Sequence, residues 1–129
     1  MRLLVIDDST GFRDMLTEML QRQGYEILAF EDPLPALAEV DFTTIDLIIT
    51  DLVMETSGER AIESVRSQGI TIPIIVLTGY LEDKDIEHLI GIGATRVLEK
   101  PIKVSQLMSN IQLLLGEECE SDSAEVPSY

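Results

Sequence analysis

Short apolar runs alternate along this chain with segments whose apolar residues recur at helical spacing. Five runs read as strands: "LLVI" (3–6), "EILAF" (26–30), "LIIT" (47–50), "IPIIVLT" (72–78) and "RVLE" (96–99). The first, third and fourth are unbroken rather than alternating, which is the pattern of strands covered on both faces in a parallel sheet. Between the runs lie amphipathic stripes. Phe12, Met15, Leu16, Met19 and Leu20 mark a first helix, with Gly24 placed to end it. Asp32 and Pro33 form an N-cap and N1 pair opening a short second helix. A third follows Gly58, with Ala61, Ile62 and Val65 inward and Gly69 beyond its end. A fourth covers about 82–91 with Ile86, Leu89 and Ile90, and a fifth about 104–115 with Leu107, Met108, Ile111, Leu114 and Leu115.

Five strands alternating with five helices imply an α/β domain: a doubly wound parallel sheet with helices on both faces. In such folds ligands gather beyond the C-terminal strand ends, at a topological switch point. The residues at those ends are Asp7 and Asp8, Asp51, Thr78, and Lys100 followed by Pro101. Each has an ordinary reading taken singly. Asp8 or Ser9 can cap the first helix, Thr78 can be a plain strand residue, and Lys100 a solvated charge. Together they place three carboxylates, a hydroxyl and an ammonium at one rim.

That set has a definite chemistry. Three neighbouring carboxylates force one to stay protonated unless a cation is shared among them. Mg²⁺ is the natural cation, being hard, oxygen-loving and able to bridge to phosphate, and Mn²⁺ can substitute. A carboxylate beside such an ion can attack phosphorus to give an aspartyl phosphate, with a lysine neutralising the phosphoryl oxygens.

Charge narrows the partners. The chain has 129 residues, 45% of them hydrophobic, and its 9 basic side chains face 24 acidic ones. Residues 116–129, "GEECESDSAEVPSY", contain five acids and no base and have the composition of a disordered tail. The expected layout is therefore a domain over 1–115 and an acidic tail over 116–129. So acidic a surface suits neither direct nucleic-acid binding nor a phosphate backbone. Cys119 is the single cysteine, which rules out an internal disulfide and fits a reducing cytoplasm. The first apolar run is too short for a signal-peptide core, and no run reaches the length of a membrane span.

At this point a resemblance is specific. "VIDDS", "IITDLVM", "IIVLTG" and "VLEKPI" stand in order at strand ends one, three, four and five. They are similar to the receiver domain of bacterial two-component response regulators, over roughly residues 2–115. The resemblance implies a flavodoxin-like sheet of strand order 2-1-3-4-5. It implies Asp51 as phosphoacceptor, and Mg²⁺ held by Asp7, Asp8, Asp51 and the backbone carbonyl of Val53. Thr78 would engage the phosphoryl group and Lys100 would pair with it, or with Asp51 beforehand. The Lys100–Pro101 peptide would be cis.

The chain departs from the family pattern in three ways. Val97 stands where a Tyr or Phe usually lies three residues before the lysine, and valine cannot serve as that rotameric switch. Met54 is followed by Glu55 rather than Pro, and Gly58 lies seven residues after Asp51 instead of eight, so the intervening loop is one residue short. Val53 and Tyr80 occupy the positions that in the family flank water's approach to an acyl phosphate, and a bulky Tyr80 with an apolar Val53 predicts slow self-hydrolysis. His88, the only histidine, falls toward the outer side of the fourth helix.

The expected function is a phosphorylation-switched receiver with no output domain in this chain. It does not turn over a substrate beyond its own phosphorylation and dephosphorylation. Its donor would be a sensor histidine kinase or a histidine phosphotransfer protein, and its target an unknown protein, with a homodimer compatible. Two other classes remain open: a degenerate receiver that only binds proteins, and a Mg²⁺-dependent phosphatase of the haloacid-dehalogenase type. The phosphatase lacks its usual second Asp, because Val53 occupies that position. A flavin carrier shares the strand order, but Asp7 and Asp8 would oppose its phosphate.

Overall fold

The computed structural model describes residues 1–52, 58–79 and 83–116, without the side chains of 83 and 84. In chain order the elements are β1 (Arg2–Ile6), α1 (Thr10–Arg22), β2 (Glu26–Phe30), α2 (Pro33–Glu39), a 3₁₀ turn (Phe42–Thr44) and β3 (Leu47–Asp51). They continue with α3 (Gly58–Ser67), β4 (Ile74–Thr78), α4 (Asp83–Ile92), β5 (Arg96–Glu99) and α5 (Val104–Leu115). The strands form one parallel sheet in the order β2-β1-β3-β4-β5.

Two cores explain the unbroken apolar strands. Leu3, Val5, Leu47, Ile49, Ile75 and Leu77 face α1 and α5, meeting Leu16, Leu20, Leu107 and Ile111. The alternate residues Leu4, Ile6, Ile48, Ile74 and Val76 face α2, α3 and α4, meeting Ala36, Ile62, Val65 and Leu89. Side chains alternate across a strand, so a central strand buried on both faces is apolar along most of its length, with polar residues such as Thr50, Asp51 and Thr78 only at the C-terminal ends. Each fully buried Leu or Ile contributes about 2 kcal/mol of transfer free energy, enough to hold the strand ends in fixed register. The edge strands β2 and β5 are only partly buried.

Local signals account for the boundaries. Ser9 caps α1, its side chain accepting from the Phe12 amide, and Gly24 follows the helix at φ 96°. Asp32 accepts from the Leu34 amide and Pro33 opens α2. Two inward assignments fail. Met15 on α1 and Ile90 on α4 are 48% and 46% exposed. A helix turns about 100° per residue, so seating Leu16 and Leu89 against the sheet carries their neighbours to the flank. β4 begins at Ile74 rather than 72, after Pro73, which lacks a ladder donor but whose carbonyl accepts from the Ile48 amide. The 3₁₀ turn lies outside the helical stripes read from the sequence. Asp41 caps it by accepting from the hydroxyl and amide of Thr43, and Phe42 is buried beneath it.

No helix among the described residues is long and apolar enough to cross a membrane.

Candidate functional site

The sheet brings the sequence-selected residues to one rim. Asp51 is the last residue of β3 and Thr78 the last of β4, the adjacent strand. Asp7 follows β1 on the other side of β3, and Lys100 follows β5. β1 is also where the strand order reverses, between β2 and β3, so the crevice lies at the switch point.

Asp7 is 2% exposed and is held at several atoms. Its Oδ1 accepts from the Ser9 amide at 2.8 Å, and its Oδ2 accepts from Lys100 Nζ at 3.0 Å. Its amide donates to the Phe30 carbonyl at 3.0 Å, and its own carbonyl accepts from Arg13 Nη1 at 2.6 Å. Asp51 is 9% exposed; its Oδ1 accepts from the Leu52 amide at 2.7 Å, and its Oδ2 lies 3.7 Å from Lys100 Nζ. Lys100 therefore bridges the two carboxylates, hydrogen-bonded to Asp7 and in ion-pair range of Asp51. Asp8 is exposed at the mouth.

Asp7, Asp8 and Asp51 each offer a carboxylate oxygen, and these oxygens lie within 4.8 Å of one another. Three hard anionic donors against one ammonium are the donor set that a small divalent cation takes, so the residues fit Mg²⁺. Thr78 is 1% exposed, and its carbonyl accepts from the Lys100 amide at 2.7 Å, which ties the lysine's backbone to the end of β4. The Lys100–Pro101 peptide is cis.

Other expectations meet the structure as follows. Val97 is half-buried, paired with Val76 and packed against the core on the α2–α4 side of the sheet. His88 is exposed, its Nε2 3.2 Å from Glu59 Oε1, so it makes a surface contact between α4 and α3. Val53, Met54, Glu55, Tyr80 and Cys119 lie outside the described residues, as does the tail from 117 onward.

Two site residues, Phe12 and Arg13, escape the sequence reading, and the close approach of a third, Gly58, is not legible there. The helical stripe places Phe12 in the α1 core, yet Lys100 Nζ sits over its ring, 4.2 Å from the centroid. Arg13 anchors the Asp7 carbonyl. Gly58 opens α3 directly against the Asp51 backbone: its amide donates to the Leu52 carbonyl at 3.0 Å, and an added Cβ would collide with the Asp51 carbonyl oxygen. For Phe12 and Arg13 a signal existed. Both lie in the first turn of a helix that starts at the functional strand end.

Comparison with known proteins agrees with this geometry. The family model for the response regulator receiver domain matches residues 3–112. The response regulator MprA of Mycobacterium leprae is 32% identical over 128 residues, covering 97% of this chain and 55% of the relative. The sensory transduction protein RegX3 of Mycobacterium bovis is 27% identical over 124 residues, covering 94% and 53%. The chain thus spans about half the length of these relatives. Among solved structures, the chemotaxis protein CheY4 of Vibrio cholerae superposes with a TM-score of 0.81 at 31% identity, covering 88% of this chain and 97% of that one. A response regulator receiver domain protein from Clostridium thermocellum gives 0.81 at 25% identity, covering 89% and 94%. With five parallel strands in the order 2-1-3-4-5 and an acidic rim that a lysine crosses, the chain belongs to the response regulator receiver domain family.

Proposed function

We propose that Asp51 accepts a phosphoryl group from a histidine kinase or a histidine phosphotransfer protein, and that the modified domain presents an altered surface to a protein partner. The observation that carries this reading is the position of Lys100 Nζ, 3.0 Å from Asp7 and 3.7 Å from Asp51 at the strand rim. A carboxylate oxygen of Asp51 attacks phosphorus and forms the acyl phosphate bond. The P–N bond of the donor phosphohistidine breaks, and its electron pair stays on the imidazole. Lys100 meets the phosphoryl charge, and the Thr78 hydroxyl donates to a phosphoryl oxygen.

Asp7, Asp8 and Asp51, with the Val53 carbonyl, would hold Mg²⁺. Bound there, Mg²⁺ supplies charge neutralisation for the phosphoryl oxygens. Val97 leaves strand five without an aromatic switch, so the output does not run through a ring rotation at that position. Residues 1–115 form the receiver and 116–129 follow as an acidic tail. Regulation rather than turnover is its role.

The test is intact mass after incubation with acetyl phosphate, with and without Mg²⁺. One Mg²⁺-dependent phosphoryl adduct is expected in the wild type and none in Asp51→Asn. A wild type that stays unmodified overturns the reading in favour of a protein-binding receiver without phosphorylation. After donor removal the adduct should decay slowly, and faster in Tyr80→Glu. Equal decay in both would remove Tyr80 as the residue that shields the acyl phosphate.

A further inference from the structure

Lys100 has a third partner besides the two carboxylates. Its Nζ lies over the Phe12 ring, 4.2 Å from the centroid. That is within the range in which the negative face of an aromatic ring attracts an ammonium. The lysine side chain is 22% exposed, so the contact is partly shielded from water. Phe12 is itself anchored. Its amide donates to the Ser9 cap, and the Arg13 amide donates to the Ser9 carbonyl. The Arg13 guanidinium then closes the turn onto the Asp7 carbonyl. The ring also packs against the core shared by α1 and α5. A ring anchored in the first turn of α1 therefore stands under the Lys100 ammonium.

Resting on the phosphoacceptor reading above, we infer that Phe12 is a positioning residue, whose ring face holds the Lys100 ammonium between Asp7 and Asp51 before the phosphoryl group arrives. The physical need is plain. A lysine has four rotatable stem bonds and carries roughly 2 kcal/mol of rotamer entropy. A carboxylate partner alone attracts the charge without fixing where the stem lies. A ring beneath the ammonium restricts it to one side of the site without consuming a carboxylate lone pair. Asp51 keeps its nucleophilic oxygen, and Lys100 is already in place when charge moves onto the phosphoryl oxygens and the leaving group departs. Core packing alone would ask only for an apolar side chain at position 12, and leucine meets that need.

The two roles separate by substitution. Phe12→Leu keeps an apolar side chain without a π face, and Phe12→Tyr keeps the face. With acetyl phosphate and Mg²⁺, Phe12→Leu should form the Asp51 adduct about 3–10-fold more slowly, while Phe12→Tyr stays near the wild-type rate. In a Lys100→Met background, Phe12→Leu should cause no further slowing. A direct readout is the ¹H–¹³C spectrum of the protein without donor. The ε-methylene protons of Lys100 should resonate upfield through the ring current and return to ordinary values in Phe12→Leu. Equal slowing in Leu and Tyr variants, undiminished slowing on top of Lys100→Met, or an unshifted Lys100 methylene would each overturn the role of Phe12. A wild type that forms no adduct would instead overturn the phosphoacceptor reading and this role with it. A wild type that is modified, beside a Phe12→Leu variant modified at the same rate, overturns the role alone.

Discussion

Gly58 shows how a single missing Cβ can set the position of a reactive group. The residue opens α3 immediately against the backbone of Asp51 and Leu52, and what an added methyl would meet is main chain rather than a yielding side chain. Gly58→Ala should therefore destabilise the fold by about 1–3 kcal/mol, as overpacking does. It should also slow adduct formation on Asp51 relative to a variant of equal stability elsewhere. Urea titration and the acetyl phosphate assay read the two effects. An unchanged midpoint would mean the chain relaxes at no cost. The same residue is legible in the sequence as the start of the third helix and as a glycine one position early, but no pattern says which backbone atom it approaches. Asp7 is the opposite case. Its place after an unbroken apolar run predicted the rim, and packing then buried it there, at 2% exposure.

Among the elements, α3 and α4 are tied together at the end of the sheet opposite the site by one side chain. Arg66, in the last turn of α3, donates through Nε and Nη2 to the Gly93 carbonyl at 3.0 and 2.8 Å, and through Nη1 to the Ile70 and Ile72 carbonyls at 2.8 Å. It ties α3 to the approach to β4 and to the end of α4, and burial lowers its pKa without approaching loss of its charge. Gly93 has φ 128°, and a Cβ there would run into the Arg66 stem, so glycine is required on both counts. Arg66→Met, which keeps most of the stem but strips three carbonyls of their donor, should cost about 2–4 kcal/mol in urea unfolding. A loss below the error of the titration would show that water replaces it fully. The 3₁₀ turn has its own pH signature. The Thr43 hydroxyl, and then its amide, hold the Asp41 carboxyl below the ordinary value of 3.8. A carboxyl depressed in the folded state adds stability above its unfolded pKa and loses it as pH falls through the folded value. The gap in urea midpoint between wild type and Asp41→Ala should thus be full at neutral pH and close on acidification below 3.8. A gap independent of pH would assign the effect to propensity instead.

At the scale of the whole molecule, the acidic rim is a linkage site. Three carboxylate oxygens within 4.8 Å, in a chain with 24 acids and 9 bases, repel one another more in the folded state than when the chain is extended. A cation bound only by the folded form stabilises it by mass action, by about 1.4 kcal/mol at ten times its dissociation constant. Mg²⁺ should therefore raise the urea midpoint above that in NaCl of equal ionic strength, and Asp8→Ala should abolish the rise. Equal midpoints in the two salts would remove the cation from the site. Asp8 is the substitution to use because it is exposed, so its loss leaves no hole.

The division between chain and fold follows from the range of the forces involved. Which segments become strands and helices, which strands are central, and where Ser9, Asp32 and Gly24 cut the helices are local matters of periodicity and capping. They were readable from the residues, as were Asp7, Asp8, Asp51, Thr78 and Lys100 as strand-end groups. Only packing decided the rest. Met15 and Ile90 turned outward because a helix seats a narrow face on a sheet. Lys100 chose Asp7 over Asp51 as its hydrogen-bond partner, across 93 positions of chain. Phe12 came to lie under its ammonium, and Arg66 reached the carbonyl of Gly93 across 27 positions. Contacts of that span depend on how β1, β3 and β5 are spaced in one sheet, and that spacing exists only once the chain has folded.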